Sequence, residues 1–123
     1  MNIEIPTSVG DLIDRITILS IKSIRIPNSD DTEYEELNAI LGTLPLSNCV
    51  LHHQYILLAI NQEIWEVEEF NRQCERDQEF GEAFIDNARS VYMLNDLRAQ
   101  VKRTINKMSG SALTEYKSHG DYS

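Results

Sequence analysis

The chain has 123 residues, of which 41% are hydrophobic, and a formal net charge of −9. This composition is typical of a folded chain, and the length predicts a single domain over residues 1–123, which the patterns below predict to be helical. The acidic balance repels nucleic-acid phosphates, so we expect no nucleic-acid partner. No apolar run reaches the roughly 20 residues of a membrane span. The first residues do not show the basic region followed by an apolar stretch that is typical of a secretory signal. We therefore expect a cytoplasmic protein without a membrane partner.

The first segment, residues 1–7, predicts a short extended N-terminus, and the first helix follows from about Val9 to Ile26. Ser8 stands where an N-cap belongs, and Pro27 ends the helix because proline cannot continue it. Ile18 lies on the charged side of this helix, which predicts that the helix is covered on more than one side. The predicted apolar face consists of Leu12, Ile13, Ile16, Leu19 and Ile24.

The second predicted helix covers about residues 31–41. Asp30 followed by Glu33 resembles a capped start, and Gly42 is the expected C-cap. Its inward residues are predicted to be Tyr34, Leu37, Ile40 and Leu41.

Two long helices follow, over about residues 48–77 and 82–108. The first of them carries a coiled-coil-like seam over four heptads, with Ser47 as its N-cap. One heptad position of the seam holds Val50, Leu57, Ile64 and Asn71, and the other holds His53, Ile60, Val67 and Cys74. The short break between the two helices predicts an antiparallel hairpin and hence an all-α bundle of about four helices. Residues 111–123 show no periodicity and are predicted to be an irregular tail.

The last predicted helix carries polar residues on the face that should be apolar. On a helical wheel this face consists of Val91, Asn95, Arg98, Lys102 and Ile105, with Asn106 at its border. Two cations four residues apart repel each other unless an acid or a bound anion lies between them. The spacing therefore predicts a neutralising partner for Arg98 and Lys102.

Two explanations for this polar cluster remain open. In the first, Arg98 pairs with Glu68, Asn61 or Asp14 and fixes the register of the helices. The hairpin register places Asn61 level with Arg98, and Glu68 about two turns away. In the second, Asn95, Arg98 and Lys102 bind a phosphate or carboxylate, for which the forked donors of an arginine are well suited.

The chain offers weak patterns for a metal site. Glu63 and Glu66 are three residues apart, as in the all-α nucleotide pyrophosphohydrolases, which also need a second acidic pair on a facing helix. Glu82 and Asp86 lie near the hairpin end, far from Glu63, so a solvated acidic face explains the pattern better. The adjacent histidines at 52–53 point about 100° apart on a helix and cannot easily share one ion. We expect no metal and no cofactor.

Three stretches, "SVGDLIDRITILSIK", "INQEIWEVE" and "FGEAFIDNARSVYMLNDLRAQVKRTINKMSGSALTEYKS", resemble a family of small bacterial and phage proteins of unknown function. The likeness spans nearly the whole chain. It departs at Glu82, where the family has a proline, and at His119, where the family has an aromatic residue. The resemblance implies a helical fold, a cytoplasmic setting and an association with surface-polysaccharide or glycosyltransferase systems. The first helix also loosely resembles that of a chorismate mutase, an all-α enzyme that binds a dianion.

These observations favour a non-enzymatic helical binding or oligomerisation module, acting as a homodimer or as an accessory to a larger enzyme. The alternative is a small-molecule enzyme or anion-binding protein that uses Asn95, Arg98 and Lys102. A cluster neutralised by Glu68 or Asp14 favours the first function, and a cleft beside the cluster favours the second.

Overall fold

A computed structural model describes residues 1–111, and it contains four helices within that range. They are α1 (Val9–Arg25), α2 (Thr32–Gly42), α3 (Asn48–Asp77) and α4 (Glu82–Ser109). The predicted all-α class is confirmed, and both helices of the predicted hairpin agree with the structure to within one residue. Residues 1–7 form no helix or strand. The predicted tail lies outside the described residues, apart from its first residue, Ser111.

Local capping interactions explain where the helices begin and end. The Ser8 hydroxyl accepts a hydrogen bond from the Asp11 amide at 3.0 Å, and the Ser47 hydroxyl accepts one from the Val50 amide at 3.3 Å. Both caps satisfy amides that have no partner in the first turn, as the sequence predicted. Gly110 follows α4 with φ at 70°, the left-handed conformation that glycine adopts readily.

The start and end of α2 differ from the prediction. The Asp30 carboxylate accepts hydrogen bonds from the Thr32 hydroxyl and amide, and these two bonds hold the pKa of Asp30 below its usual value. Asp31, one residue later, is the N-cap of the helix. At the other end Gly42 still belongs to the helix and Thr43 is the C-cap, so the predicted glycine cap is wrong.

The α3–α4 hairpin is the centre of the fold, with α1 packed against both of its helices and α2 packed against α1. Burial along α3 follows the predicted seam. Its buried members are Val50, Leu57, Ile60, Ile64, Val67 and Cys74. The inward placement predicted for Ile24 and Ile40 is wrong, since they are 82% and 50% exposed. Ile24 lines a groove bounded by α1, α2 and α3, where its side chain stays open to solvent.

The polar seam position Asn71 allows a stability test. Its side-chain oxygen is buried without a hydrogen-bond partner among the described residues. A buried acceptor without a partner costs about 1–3 kcal/mol. We therefore expect Asn71→Leu to raise the free energy of unfolding by about 1 kcal/mol, measured by urea denaturation. Asn61→Leu is the matched control on the same helix, and it should lower stability, because the Asn61 amide donates two buried hydrogen bonds.

Candidate functional site

The polar row on α4 faces the first half of α1. Residues four apart on a helix lie on one stripe, so Arg98, Lys102 and Asn106 point the same way. Each meets a different residue of α1: Arg98 contacts Asp14, Lys102 contacts Asp11, and Asn106 contacts Gly10. The two cations therefore form ion pairs with two different carboxylates. Both carboxylates come from α1, which runs antiparallel to α4 and carries Asp11 and Asp14 three residues apart.

The contact between Asp14 and Arg98 is a two-pronged ion pair. Arg98 Nε donates to Asp14 Oδ1 at 2.8 Å, and Arg98 Nη2 donates to Asp14 Oδ2 at 2.5 Å. The Asp14 side chain is 7% exposed and that of Arg98 is 27% exposed. This parallel arrangement matches the planar guanidinium to the planar carboxylate and is the strongest form of the pair. Asp14 thus neutralises Arg98 within the protein.

Three further polar residues are hydrogen-bonded to the Asp14–Arg98 pair. The Asn61 side-chain amide donates to Asp14 Oδ1 at 3.0 Å and to the Thr17 hydroxyl at 2.9 Å. That hydroxyl donates in turn to the Asp14 backbone carbonyl at 2.7 Å. Asn95 Oδ1 accepts a 3.4 Å hydrogen bond from Arg98 Nη1. We call these five residues, Asp14, Thr17, Asn61, Asn95 and Arg98, the Asp14 network.

The other two contacts lie nearer the start of α1. Lys102 Nζ lies 2.9 Å from Asp11 Oδ1, with the lysine stem buried and the aspartate half-exposed, so the charge reaches the edge of the interface. Asn106 Oδ1 accepts a hydrogen bond from the Gly10 amide at 2.7 Å. Asn106 is buried, and its side chain satisfies one of the amides that the first turn of α1 leaves without an intrahelical partner.

The predicted cluster is therefore divided between two places. The structure brings Asp14, Asn95 and Arg98 together, but it places Lys102 and Asn106 further along α4, against the first turn of α1. Glu68 and Arg98 both line a cleft between α1, α3 and α4. Thr17 was not predicted to take part. Its position three residues after Asp14 on the same helix is the signal that could have identified it.

A cleft of about 270 Å³ lies beside the Asp14 network, between α1, α3 and α4. Its lining combines an apolar wall with charged groups at its edge. The wall consists of Ile18, Ile21, Ile64 and Trp65, and the polar lining consists of Lys22, Asn61, Glu68, Arg72, Asn95 and Arg98. Ile18 is part of this wall. Its position on the charged side of α1 was the reason to predict that neighbouring elements cover this helix on more than one side. Three of these lining residues, Lys22, Trp65 and Arg72, were not predicted as site residues from the sequence.

The acidic pair on α3 lies on a different surface. Glu63 and Glu66 line a shallow depression that includes Phe70 and Asn87 but neither Glu82 nor Asp86. Within residues 1–111, no three histidine, cysteine or acidic side chains come close enough together to hold a metal ion. Likewise, none of the helices in that range combines the length and hydrophobicity needed to cross a bilayer.

These features define an all-α helical bundle in which a partly buried ion pair joins α1 to a helical hairpin beside an open cleft. The chain belongs to a family of unknown function, DUF6165, whose sequence profile matches residues 1–121. The resemblance to a family without an assigned activity is thereby confirmed. Searches of curated proteins and of solved structures gave no match.

Proposed function

We propose that the protein is a non-enzymatic helical binding module that acts as a homodimer through the outward face of α4. The observation that carries this proposal is the set of large apolar residues that α4 leaves exposed. Two of its four buried residues, Lys102 and Asn106, are polar. Five large apolar residues of α4 are instead 40–50% exposed: Ile85, Tyr92, Met93, Leu97 and Met108.

The exposed apolar residues of α4 are not scattered evenly around the helix. Met93 and Leu97 are one turn apart, and Met108 follows Leu97 by eleven residues, or about three turns, on nearly the same side. Single exposed apolar residues are normal on a folded protein, but a row of them is typical of an interaction surface. We call Met93, Leu97 and Met108 the α4 stripe.

Charges on α4 favour a second copy of the chain as the partner. Glu82 and Asp86 lie at the start of the helix, and Arg103 and Lys107 lie near its end. Two copies of α4 that cross antiparallel near residues 94–95, between Met93 and Leu97, bring Glu82 and Asp86 of each copy opposite Lys107 and Arg103 of the other. Such self-complementarity is the requirement for a twofold symmetric dimer. The accessory role implied by the resemblance, beside a surface-polysaccharide or glycosyltransferase system, is part of the same proposal.

The apolar part of this proposal is tested by Leu97→Glu. A carboxylate in the middle of a dimer interface must be desolvated without a partner, so we expect the dimer dissociation constant to rise at least about tenfold. Sedimentation velocity over a range of protein concentrations measures this change. Ile24→Glu is the matched control, because it places the same acid at an exposed isoleucine on α1, away from the α4 stripe. A wild-type chain that is monomeric throughout that range contradicts the proposal.

The electrostatic part is tested by reversing charges. Lys107→Glu should weaken the dimer, since it brings like charges together across the interface, and Lys107→Glu combined with Glu82→Lys should restore it. Added salt should weaken the wild-type dimer, because it screens exposed charges. A double variant as weak as the single variant would show that the two ends of α4 do not meet.

A further inference from the structure

We propose that the cleft beside the Asp14 network binds a small organic carboxylate with a single apolar ring or chain. This site goes beyond the proposed dimer, since the cleft is lined by residues outside the α4 stripe. Ligand clefts in proteins are mostly apolar, with a few convergent polar groups that fix the orientation of the ligand. The cleft has both elements, and they come from three different helices.

The charges at the edge of the cleft favour an anion. Three basic side chains, Lys22, Arg72 and Arg98, line it, against the single acid Glu68. This is a local reversal of sign in a chain whose formal net charge is −9. Basic groups gathered around a cleft with apolar walls attract small anions and concentrate them there.

The three basic side chains differ in whether they already form an ion pair within the protein. Asp14 holds Arg98 through two of its nitrogens, so Arg98 is fixed in place and much of its charge is neutralised. Lys22 and Arg72 are exposed, and within residues 1–111 neither forms an ion pair. They stand at the edge on α1 and α3 respectively. Lys22 and Arg72 are therefore the groups that bind the carboxylate.

The apolar wall determines the rest of the ligand. Trp65 and Ile64 come from α3, and Ile18 and Ile21 come from α1. An inorganic anion has no apolar surface to bury against this wall, whereas a ring or short chain gains stability by doing so. A volume of about 270 Å³ is slightly below the range typical of drug-sized ligand clefts, which is about 300–1,000 Å³. The cleft therefore fits one ring or one short chain and excludes larger cofactors.

Trp65 provides a direct reporter, because it is the one tryptophan of the chain. We expect phenylacetate to change the Trp65 fluorescence in a saturable way. The uncharged analogue 2-phenylethanol should bind at least about tenfold more weakly, because it lacks the charge-assisted hydrogen bonds. Inorganic phosphate should compete poorly. A lack of saturation at about 10 mM phenylacetate, or an equal response to 2-phenylethanol, overturns the proposal.

Variants of α3 locate the binding site. Arg72→Gln should weaken phenylacetate binding about tenfold, while Arg76→Gln, which removes the same charge one turn away outside the cleft, should leave it unchanged. Glu68→Gln should strengthen binding, because it removes the one acid that repels the anion. Equal weakening by both arginine variants, or weaker binding in Glu68→Gln, overturns the proposal. Leu97→Glu should bind phenylacetate like the wild type, so failure of the dimer and failure of the cleft are distinguishable.

Discussion

Replacing Arg98 with methionine is expected to lower the free energy of unfolding by about 3–5 kcal/mol. The substitution keeps an unbranched apolar stem but removes the guanidinium, so the Asp14 carboxylate, which is 7% exposed, loses its cation. Asn61 still donates one hydrogen bond to this carboxylate, which offsets only part of the loss. Urea denaturation at a fixed protein concentration measures the change, and the melting temperature should fall by on the order of 10–20 °C.

Two further variants separate the buried pair from a general loss of charge. Arg76→Met removes a surface partner of Glu69 and should cost less than about 1 kcal/mol. Asp14→Leu combined with Arg98→Met removes both charges and should recover much of the stability, because no carboxylate is left buried alone. If Arg98→Met unfolds like the wild type and only loses stabilisation by sulfate, Arg98 is an anion ligand and not a structural partner of Asp14.

Gly10→Ala is expected to lower the free energy of unfolding by about 2 kcal/mol, although alanine ordinarily favours a helix. A methyl group on Gly10 would lie 2.7 Å from the Asn106 side-chain oxygen and 2.7 Å from the Lys102 backbone carbonyl. The Asn106 side chain can turn away, but the carbonyl belongs to α4 and cannot move without the helix. Any movement of Asn106 also loses its 2.7 Å hydrogen bond with the Gly10 amide. Thermal and urea denaturation measure the effect.

Gly42→Ala is the control for Gly10→Ala. Gly42 also lies in a helix, but nothing stands within 4 Å of the position its side chain would take. Its backbone is not left-handed, so alanine fits there and should leave stability unchanged or raise it slightly. If both variants behave alike, α1 and α4 do not approach each other as closely as the contact at Gly10 requires.

The sequence was sufficient to predict the hairpin because the relevant signals are local. A heptad seam, serine caps and a break of four residues depend on near neighbours in the chain, and they predicted α3 and α4 to within one residue. The errors at Ile24 and Ile40 have a different origin. Periodicity predicts which face of a helix is apolar, but the extent to which that face is covered depends on where the neighbouring helices end.

The candidate site was partly predictable for the same reason. The hairpin register placed Asn61 level with Arg98, and both side chains do hydrogen-bond the same oxygen of Asp14. The choice between Asp14 and Glu68 as the partner of Arg98 depends on how α1 packs across the hairpin, which no local pattern determines. Lys102 was grouped with Arg98 because both lie on the same face of α4. In the structure Lys102 pairs with Asp11, whereas Arg98 pairs with Asp14.

The contact between α1 and α4 also has a consequence for the order of events during synthesis. Asp14 and Arg98 are separated by 84 residues in the chain, and Gly10 and Asn106 by 96. A ribosome adds about 5–20 residues per second, so α1 leaves it several seconds before its partners on α4 exist. During that interval the two acids of α1 are solvated and its isoleucines have no hairpin to cover them. Closure of the bundle must therefore be a late event that waits for the end of α4, and a chain stalled before Arg98 exposes α1 to chaperones and proteases.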